Sequence, residues 1–157
     1  MYVIAGASGA IGRAICQNVR NRGGTPLLVG RSAEKLNELN DELGGKFPMI
    51  PDIDFGDPEE AGKKLTSELK GQKLKGLAYA VGNITLKSIR GCKANDFIDS
   101  YMLNVVGATE LIKASLAGLK KGSSSEDPAS IVLFSSVAAA NGLANHAVIG
   151  SNKAAIE

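Results

Sequence analysis

The chain has 157 residues, of which 44% are apolar, and its 18 basic and 16 acidic side chains leave a net charge of +2. This length and apolar content predict a single globular domain, residues 1–157, with a hydrophobic core. The scattered charge and the absence of Trp argue against a nucleic-acid surface. No apolar run approaches the ~20 residues that span a bilayer, which argues against a membrane protein.

Short apolar runs alternate with segments of helical period along the whole chain. Strands apolar on both faces, as in a sheet covered on both sides, are predicted at Tyr2–Ala5, Pro26–Val29, Phe47–Ile50, Leu77–Val81 and Ser130–Phe134. Helices are predicted at Ile11–Arg22, Ala33–Leu43, Pro58–Lys70, Asn95–Leu119 and from His146 onward. Ser32 and Asp57 are helix-start signals. The alternation predicts an α/β fold with a parallel, doubly wound sheet.

A glycine-rich segment, Gly6-Ala7-Ser8-Gly9-Ala10-Ile11-Gly12, follows the first strand and opens the first helix. Its glycines let the backbone turn tightly and approach a pyrophosphate, whose charge meets the free N–H groups at the helix start. The spacing differs from the general G-x-G-x-x-G fingerprint, and such a segment taken alone is also compatible with a structural turn. The strand before it and the helix after it favour cofactor binding by Gly6, Ser8, Gly9, Ile11 and Gly12.

The second strand ends in Gly30-Arg31-Ser32, which bears on the choice of dinucleotide. A carboxylate at this point would bind the ribose 2′-hydroxyl of NAD, whereas Gly30 leaves room and Arg31 can pair with a 2′-phosphate. We therefore predict NADP in preference to NAD. The alternative is an Arg31 that is only solvated.

The fifth predicted strand ends in Phe134-Ser135-Ser136; Ile149 follows Ser136 by thirteen residues, and Lys153 follows Ile149 by four. This pattern resembles the short-chain dehydrogenase/reductase family, whose members place Ser, Tyr and Lys at that spacing. The resemblance spans the whole chain and implies a Rossmann-type domain of three layers, αβα. Family members continue with further strands and a segment that covers the substrate. We therefore expect a domain whose C-terminal strands are missing from the chain.

The resemblance implies roles for residues at the cofactor end. Asp54 would accept a hydrogen bond from the adenine amino group, with the Phe55 backbone beside it, and Asp52 is the rival assignment. Gly82 is the residue retained from the family's Asn-Asn-Ala-Gly segment. The backbone there would pass close to the adenosine ribose, although a simple buried strand end is an equal alternative.

The resemblance also implies roles at the chemical end. Ser136 would polarise a substrate carbonyl, since Ser135 lacks the family spacing, and Lys153 would bind the nicotinamide ribose. Asn104 lies in an apolar helical stretch, where a buried amide needs a partner. In the family, the matching Asn holds a water in a relay to the active-site Lys. A core amide bonded to the backbone is the alternative for Asn104.

Ile149 occupies the position of the family's proton donor, and an isoleucine can neither donate nor accept a proton. Acid–base help of that kind is typically worth ~10²–10⁴-fold in rate. His146, the single histidine, shares a helical face with Ile149 and Lys153 and titrates in the useful range. His146 lies about one helical turn from the position of the family's proton donor. The alternative to a substitute acid is a histidine at the start of the helix that is hydrogen-bonded to backbone or water.

These observations predict an NADP-dependent oxidoreductase that transfers hydride between the nicotinamide and a small carbonyl or alcohol substrate, with atypical or impaired proton transfer. The alternatives are a non-catalytic NADP-binding sensor or interaction module, and an inert fragment of a longer reductase. Cys16 and Cys92 have no metal-ligand spacing, so no metal site is predicted, and two reduced cysteines suit a cytoplasmic protein. The family often pairs through its fourth and fifth helices, which implies a homo-oligomer.

Overall fold

A computed structural model describes all residues, Met1–Glu157, and builds them around five parallel strands. The sheet has the order β3-β2-β1-β4-β5. Its strands are β1 (Tyr2–Ala5), β2 (Pro26–Val29), β3 (Met49–Ile50), β4 (Gly76–Tyr79) and β5 (Ser130–Leu133). The chain begins in the middle strand, winds outward to β3, and then crosses to β4 and β5. The predicted α/β class and the doubly wound parallel sheet are confirmed.

Seven α-helices connect and flank the strands. They are α1 (Ala10–Asn21), α2 (Ala33–Glu42), α3 (Pro58–Glu68), α4 (Ala94–Tyr101), α5 (Gly107–Gly122), α6 (Val137–Ala140) and α7 (Ala147–Ile156). The Ser32 side chain accepts a hydrogen bond from the Lys35 N–H, and the Asp57 side chain accepts one from the Glu60 N–H. Both predicted start signals therefore cap a helix. The short α6 was not predicted.

The predicted long helix is continuous from Ala94 to Gly122 but contains a π-helical turn, Met102–Val106, between α4 and α5. By length and composition alone, this segment could cross a membrane. The core helix of a folded domain passes the same test, and α5 packs on α3 and β4 with Leu111 and Ser115 fully buried. The segment is therefore weak evidence for a membrane span.

The core lies on both faces of the sheet, as the period of the strands dictates. On one face, Val3 and Leu77 pack with residues of α3 and α5 such as Leu65. On the other face, Ile4 and Leu28 pack with residues of α1 and α2. The two apolar layers hold the carboxyl ends of the strands in one row, where the loops of the candidate site begin.

Three strand predictions need correction. The fourth strand is Gly76–Tyr79 and not Leu77–Val81, so the residues from Ala80 onward belong to the loop that follows it. The third strand begins at Met49 and not at Phe47, because the Asn40 side chain binds both the N–H and the C=O of Phe47 at 3.0 and 3.1 Å and takes the place of a sheet partner. The fifth strand is not covered on both faces: Ile131 and Val132 are 45% and 44% exposed. It pairs only with β4 at the edge of the sheet, and none of its residues is among the buried residues of the two core clusters.

Candidate cofactor and active site

The glycine loop is held against the ends of β2 and β4. Gly6 has φ +73°, and a Cβ there would lie 2.6 Å from the Ala80 carbonyl oxygen. A Cβ on Gly12 would lie 2.1 Å from the Gly6 carbonyl oxygen. The loop can therefore pass this close to α1 only with glycine at both positions. Gly9 precedes α1 without any side-chain cap, so the first N–H groups of the helix remain available to an anion.

A groove of about 400 Å³ extends from this loop across the ends of β2 and β4. Its lining contains these predicted cofactor residues: Gly6, Ser8, Gly9, Arg31, Asp54, Phe55 and Gly82. Gly12 lies beneath the loop, and Ile11 lines a neighbouring cavity. The structure thus brings residues from four separate loops to one surface.

The two rival aspartates differ in position. Asp54 lines the groove and accepts a hydrogen bond from the Gly56 N–H at 2.9 Å, whereas Asp52 does not line it. The Phe55 ring is buried and meets the Tyr79 ring edge-on at 5.0 Å, so Phe55 presents its backbone to the groove. Burial raises the pKa of Tyr79, whose hydroxyl donates to the Leu103 carbonyl. Tyr79 is therefore structural.

Arg31 is exposed at the end of the groove and takes part in none of the five salt bridges of the chain. Lys35, in the first turn of α2, lines the groove beside it. Sequence reasoning missed Lys35, although its place in the first turn of the helix predicted to follow Arg31 was a usable signal. Two cations without an acidic partner leave this end of the groove positive.

A second cavity, of about 310 Å³, adjoins the groove and contains the predicted catalytic residues. The two share the segment Ala80–Asn83 after β4. The lining of the second cavity includes Asn104, Ser136, His146, Ile149 and Lys153. A larger cavity of about 840 Å³ lies behind α1 beside Phe134 and contains none of these five residues.

Lys153 and Asn104 approach each other across Gly82. The Lys153 ammonium donates to the Phe134 carbonyl at 2.8 Å, and burial lowers its pKa. Asn104 is completely buried in the π-helical turn, and its Oδ1 has no hydrogen-bond partner. A Cβ on Gly82 would lie 2.7 Å from that Oδ1 and 3.9 Å from the Lys153 Nζ. Only glycine at position 82 leaves room for the Asn104 Oδ1 and the Lys153 Nζ to face the same space.

The two serines after β5 are used differently. The Ser135 hydroxyl donates to the Glu157 carboxylate at 2.5 Å and lies 3.4 Å from the Lys153 carbonyl. The Ser136 hydroxyl oxygen accepts from the Ala138 N–H at 3.2 Å and thereby caps α6. Its hydrogen remains free to donate into the cavity. Of the two, Ser136 is the one that can polarise a carbonyl.

Ile149 is 3% exposed and presents an alkyl side chain to the cavity. The Nδ1 of His146 lies 2.7 Å from the Ala144 carbonyl oxygen, which can only accept, so Nδ1 carries a proton. In neutral His146 the other nitrogen, Nε2, is then an acceptor. His146 can therefore release a proton into the cavity only from its imidazolium form.

The chain matches the model of one known family. The family model described as short chain dehydrogenase matches residues 1–157. The chain belongs to the short-chain dehydrogenase family. The family is one of oxidoreductases that use a nicotinamide cofactor.

Curated relatives of this chain are moderately similar to it. The 3-hydroxyacyl-CoA dehydrogenase type-2 of Drosophila melanogaster is 29% identical to this chain over an alignment of 163 positions. The alignment covers 98% of this chain and 63% of the relative. A 7beta-hydroxysteroid dehydrogenase of Mediterraneibacter gnavus is 33% identical over 64 residues, which cover 39% of this chain and 24% of the relative. The chain spans less than two thirds of the length of the curated relatives that it matches.

Solved structures of the family share the fold. The RhlG/NADP active-site complex of Pseudomonas aeruginosa superimposes with a TM-score of 0.88 at 24% identity and covers 99% of this chain and 62% of that protein. The oxidoreductase yciK of E. coli superimposes with a TM-score of 0.82 at 23% identity, and the match covers 99% of this chain and 65% of that protein. These similarities confirm the Rossmann-type fold.

The groove has the features of a dinucleotide site. The close approach at Gly6 and Gly12 and the uncapped start of α1 suit a pyrophosphate, and Arg31 adds a cation without a salt-bridge partner at the end of the groove. Sequence reasoning missed a different group, the polar residues Asn83, Ser100 and Asn152 around Asn104. The spacing of Ser100 and Asn104, four residues apart within an apolar helical stretch, was the signal that could have revealed it.

Proposed function

We propose that this domain binds NADP in the groove and supports hydride transfer between the nicotinamide and a carbonyl or alcohol carbon in the adjoining cavity. The observation that carries the proposal is the continuity of the two spaces. The cavity that contains Ser136 and Lys153 shares the segment Ala80–Asn83 with the groove that contains Arg31. A dinucleotide lying along the groove from Arg31 would therefore end beside Ser136 and Lys153.

Each side chain has a task in this proposal. Arg31 and Lys35 bind the 2′-phosphate, and the start of α1 binds the pyrophosphate. When bound, NADPH supplies the hydride. Ser136 donates a hydrogen bond to the substrate oxygen, and Lys153 binds the nicotinamide ribose and favours negative charge on that oxygen. The unpaired Oδ1 of Asn104 is a place for an ordered water beside Lys153.

The proton supply is the atypical part of the proposal. Ile149 provides no acid, so the product alkoxide has to take its proton from the His146 imidazolium or from water. A pH profile of NADPH oxidation distinguishes the two sources. We expect His146→Gln to abolish the acid-side increase in rate if the imidazolium is the donor, and an unchanged profile assigns the proton to water.

The names of two relatives support a class of substrate. One is a 3-hydroxyacyl-CoA dehydrogenase and the other a 7beta-hydroxysteroid dehydrogenase, and both names describe secondary alcohols. We therefore propose a ketone, or the matching secondary alcohol, as the substrate of this domain. NADPH oxidation with acetoacetyl-CoA, a 7-ketosteroid and cyclohexanone tests that class directly.

Cofactor binding is tested by titrating the chain with NADPH and following its fluorescence. Because charge-assisted hydrogen bonds contribute about 1.5–3 kcal/mol, we expect Arg31→Glu to weaken NADPH binding at least about tenfold. NADH binding should not weaken, because a carboxylate there can accept a hydrogen bond from the ribose 2′-hydroxyl. Arg20→Glu, at an exposed arginine in the last turn of α1, makes the same charge change away from the groove and is the control. Equal effects of the two variants, or no binding by the unaltered chain, would refute the proposal.

A second candidate function is a non-catalytic NADP-binding module. It is favoured by Ile149, which fills the donor position with a buried alkyl group. Binding of NADPH without oxidation by any ketone, in both the unaltered chain and Ile149→Tyr, would support this candidate over the enzyme.

The fourth helix predicted from the sequence is the long helix Ala94–Gly122, which comprises α4, the π-helical turn and α5, and the fifth is α7. Exposed apolar residues of α4 and α5 support a pairing through the fourth helix. Ile98, Tyr101 and Leu116 lie exposed on these helices. We propose that two copies associate through this face. Light scattering on a size-exclusion column should give a dimer mass that Leu116→Lys reduces to that of the monomer.

A further inference from the structure

Four polar side chains from four segments meet in a hydrogen-bonded network beside the candidate site. Asn83 follows β4, Ser100 belongs to α4, Asn104 to the π-helical turn and Asn152 to α7. Ser100, Asn104 and Asn152 are buried. The Ser100 hydroxyl lies 2.6 Å from the Asn152 amide nitrogen, 3.3 Å from that of Asn104 and 3.2 Å from the Asn83 Oδ1.

One bond in this network fixes the direction of the others. The Asn104 amide nitrogen lies 2.9 Å from the Ser100 carbonyl oxygen, which can only accept, so this atom must be the donor NH₂. The Asn83 atom 3.2 Å from the same NH₂ must then be the acceptor Oδ1. The Ser100 hydroxyl has a single hydrogen and accepts from Asn152, so it donates that hydrogen to the Asn83 Oδ1.

The Asn83 carboxamide is thereby oriented and polarised. Its oxygen accepts two hydrogen bonds from the buried side, so its own NH₂ has to point away from the network. Asn83 is exposed and lines both the cofactor groove and the cavity with Ser136 and Lys153. Hydrogen bonds to the oxygen of an amide strengthen its N–H groups as donors.

We infer that Asn83 is a substrate-binding residue whose NH₂ donates a hydrogen bond to the carbonyl oxygen of the bound ketone, and that Ser100 and Asn152 position it. This inference rests on the proposed function. Donors aimed at the oxygen on which charge develops are an effective means of stabilisation in a closed site. Ser136 is one such donor, and Asn83 supplies a second in a cavity where Ile149 supplies none. An amide does not release its proton, so Asn83 binds the oxygen and the proton still comes from elsewhere.

Three variants separate the loss of the Asn83 donor group, the loss of its orientation, and the loss of a buried hydroxyl elsewhere. Asn83→Asp keeps an oxygen for the network and replaces the NH₂ by an oxygen that cannot donate. Ser100→Ala removes the hydroxyl that orients Asn83. Ser115→Ala is the matched control, because Ser115 is a fully buried serine on α5 whose Oγ has no partner.

The measurement is kcat/KM for acetoacetyl-CoA at saturating NADPH, together with the Kd of NADPH from fluorescence. Losing one hydrogen bond to an oxygen on which charge develops should lower kcat/KM about tenfold in Asn83→Asp. Ser100→Ala should lower kcat/KM in the same direction, and Ser115→Ala should leave it unchanged. The Kd of NADPH should stay within about twofold in all three variants, since the inferred contact is with the substrate.

Two kinetic results would overturn the inference: an unchanged kcat/KM in Asn83→Asp, or a Kd of NADPH raised by the same factor by which kcat/KM falls, which would place the contact on the cofactor. If turnover is too slow to measure, NMR provides the test. The side-chain NH₂ signal of Asn83 in a nitrogen–proton spectrum can be assigned by its loss in Asn83→Asp. This signal should shift when cyclohexanone is added with NADP. A signal that does not move would also overturn it. Failure of the unaltered chain to bind NADPH is a separate result, which refutes the proposed function itself.

Discussion

Replacing Gly12 by Ala is the sharpest test of the glycine loop. A Cβ at Gly12 would lie 2.1 Å from the Gly6 carbonyl oxygen, 2.7 Å from the Gly6 carbonyl carbon and 2.8 Å from the Ala7 Cα. All three neighbours are backbone atoms, so none can rotate away. Since ordinary contacts are about 3.5 Å or longer, α1 and the loop have to separate by roughly 1 Å or more.

Two opposing effects determine how far Gly12→Ala lowers the free energy of unfolding. Overpacking of this kind typically costs about 1–3 kcal/mol, and the backbone overlap places Gly12→Ala towards the upper end of that range. Gly12 lies inside α1, where Ala is favoured over Gly by about 1 kcal/mol. We therefore expect the free energy of unfolding to fall by about 1–2 kcal/mol. Because the displaced loop carries the N–H groups proposed to bind the pyrophosphate, NADPH affinity should fall about tenfold or more.

The assay is urea unfolding followed by circular dichroism, combined with NADPH titration. Gly142→Ala is the control, because a Cβ there meets nothing within 4 Å. Gly9→Ala should fall between the two, since its Cβ would lie 3.3 Å from the Gly6 carbonyl oxygen. If Gly12→Ala matches Gly142→Ala in both stability and NADPH affinity, the steric argument for the loop is wrong.

Three further predictions concern single side chains. Burial lowers the pKa of Lys153, so its charged form destabilises the folded state. This destabilisation is complete below the lowered pKa and is lost as the pH rises from there to the ordinary value of 10.5, because the side chain then becomes neutral in the folded state. The stability advantage of Lys153→Met over the unaltered chain should therefore shrink over that pH range in urea unfolding, and a constant difference would contradict it. Ile149→Tyr should raise the rate of NADPH oxidation by ketones by about 10²–10⁴-fold if Ser136 and Lys153 are correctly placed; no increase would support the non-catalytic candidate. Val132→Lys should reduce light scattering of concentrated protein, because a charge protects the open face of β5, and should change stability by no more than about 0.5 kcal/mol.

The family and the fold could be predicted from the sequence because their signals are local. The glycine loop, the cap residues Ser32 and Asp57 and the apolar runs each act over a few residues. They specify helix starts, strand positions and the parallel order without knowledge of distant contacts. The spacing from Ser136 to Lys153 likewise lies within one stretch of chain, so the family resemblance was visible there.

Other features depend on which segments meet in space. Val132 is exposed because no other element buries that face of β5, and the shortened β3 follows from the Asn40 side chain binding Phe47 across seven residues. The choice of Ser136 over Ser135 as a free donor depends on which carboxylate and which N–H group lie within reach. None of these distances is encoded in a local pattern.

The sequence by itself determined the fold class, the glycine loop and the isoleucine at position 149. The tertiary structure alone joined Asn83, Ser100 and Asn152 to Asn104, from segments up to 69 residues apart along the chain. A hydrogen bond forms only within about 3.5 Å, and chain segments so far apart reach that distance only when the sheet and the helix layers have packed. The residues were therefore present in the sequence, and their common role was decided by folding.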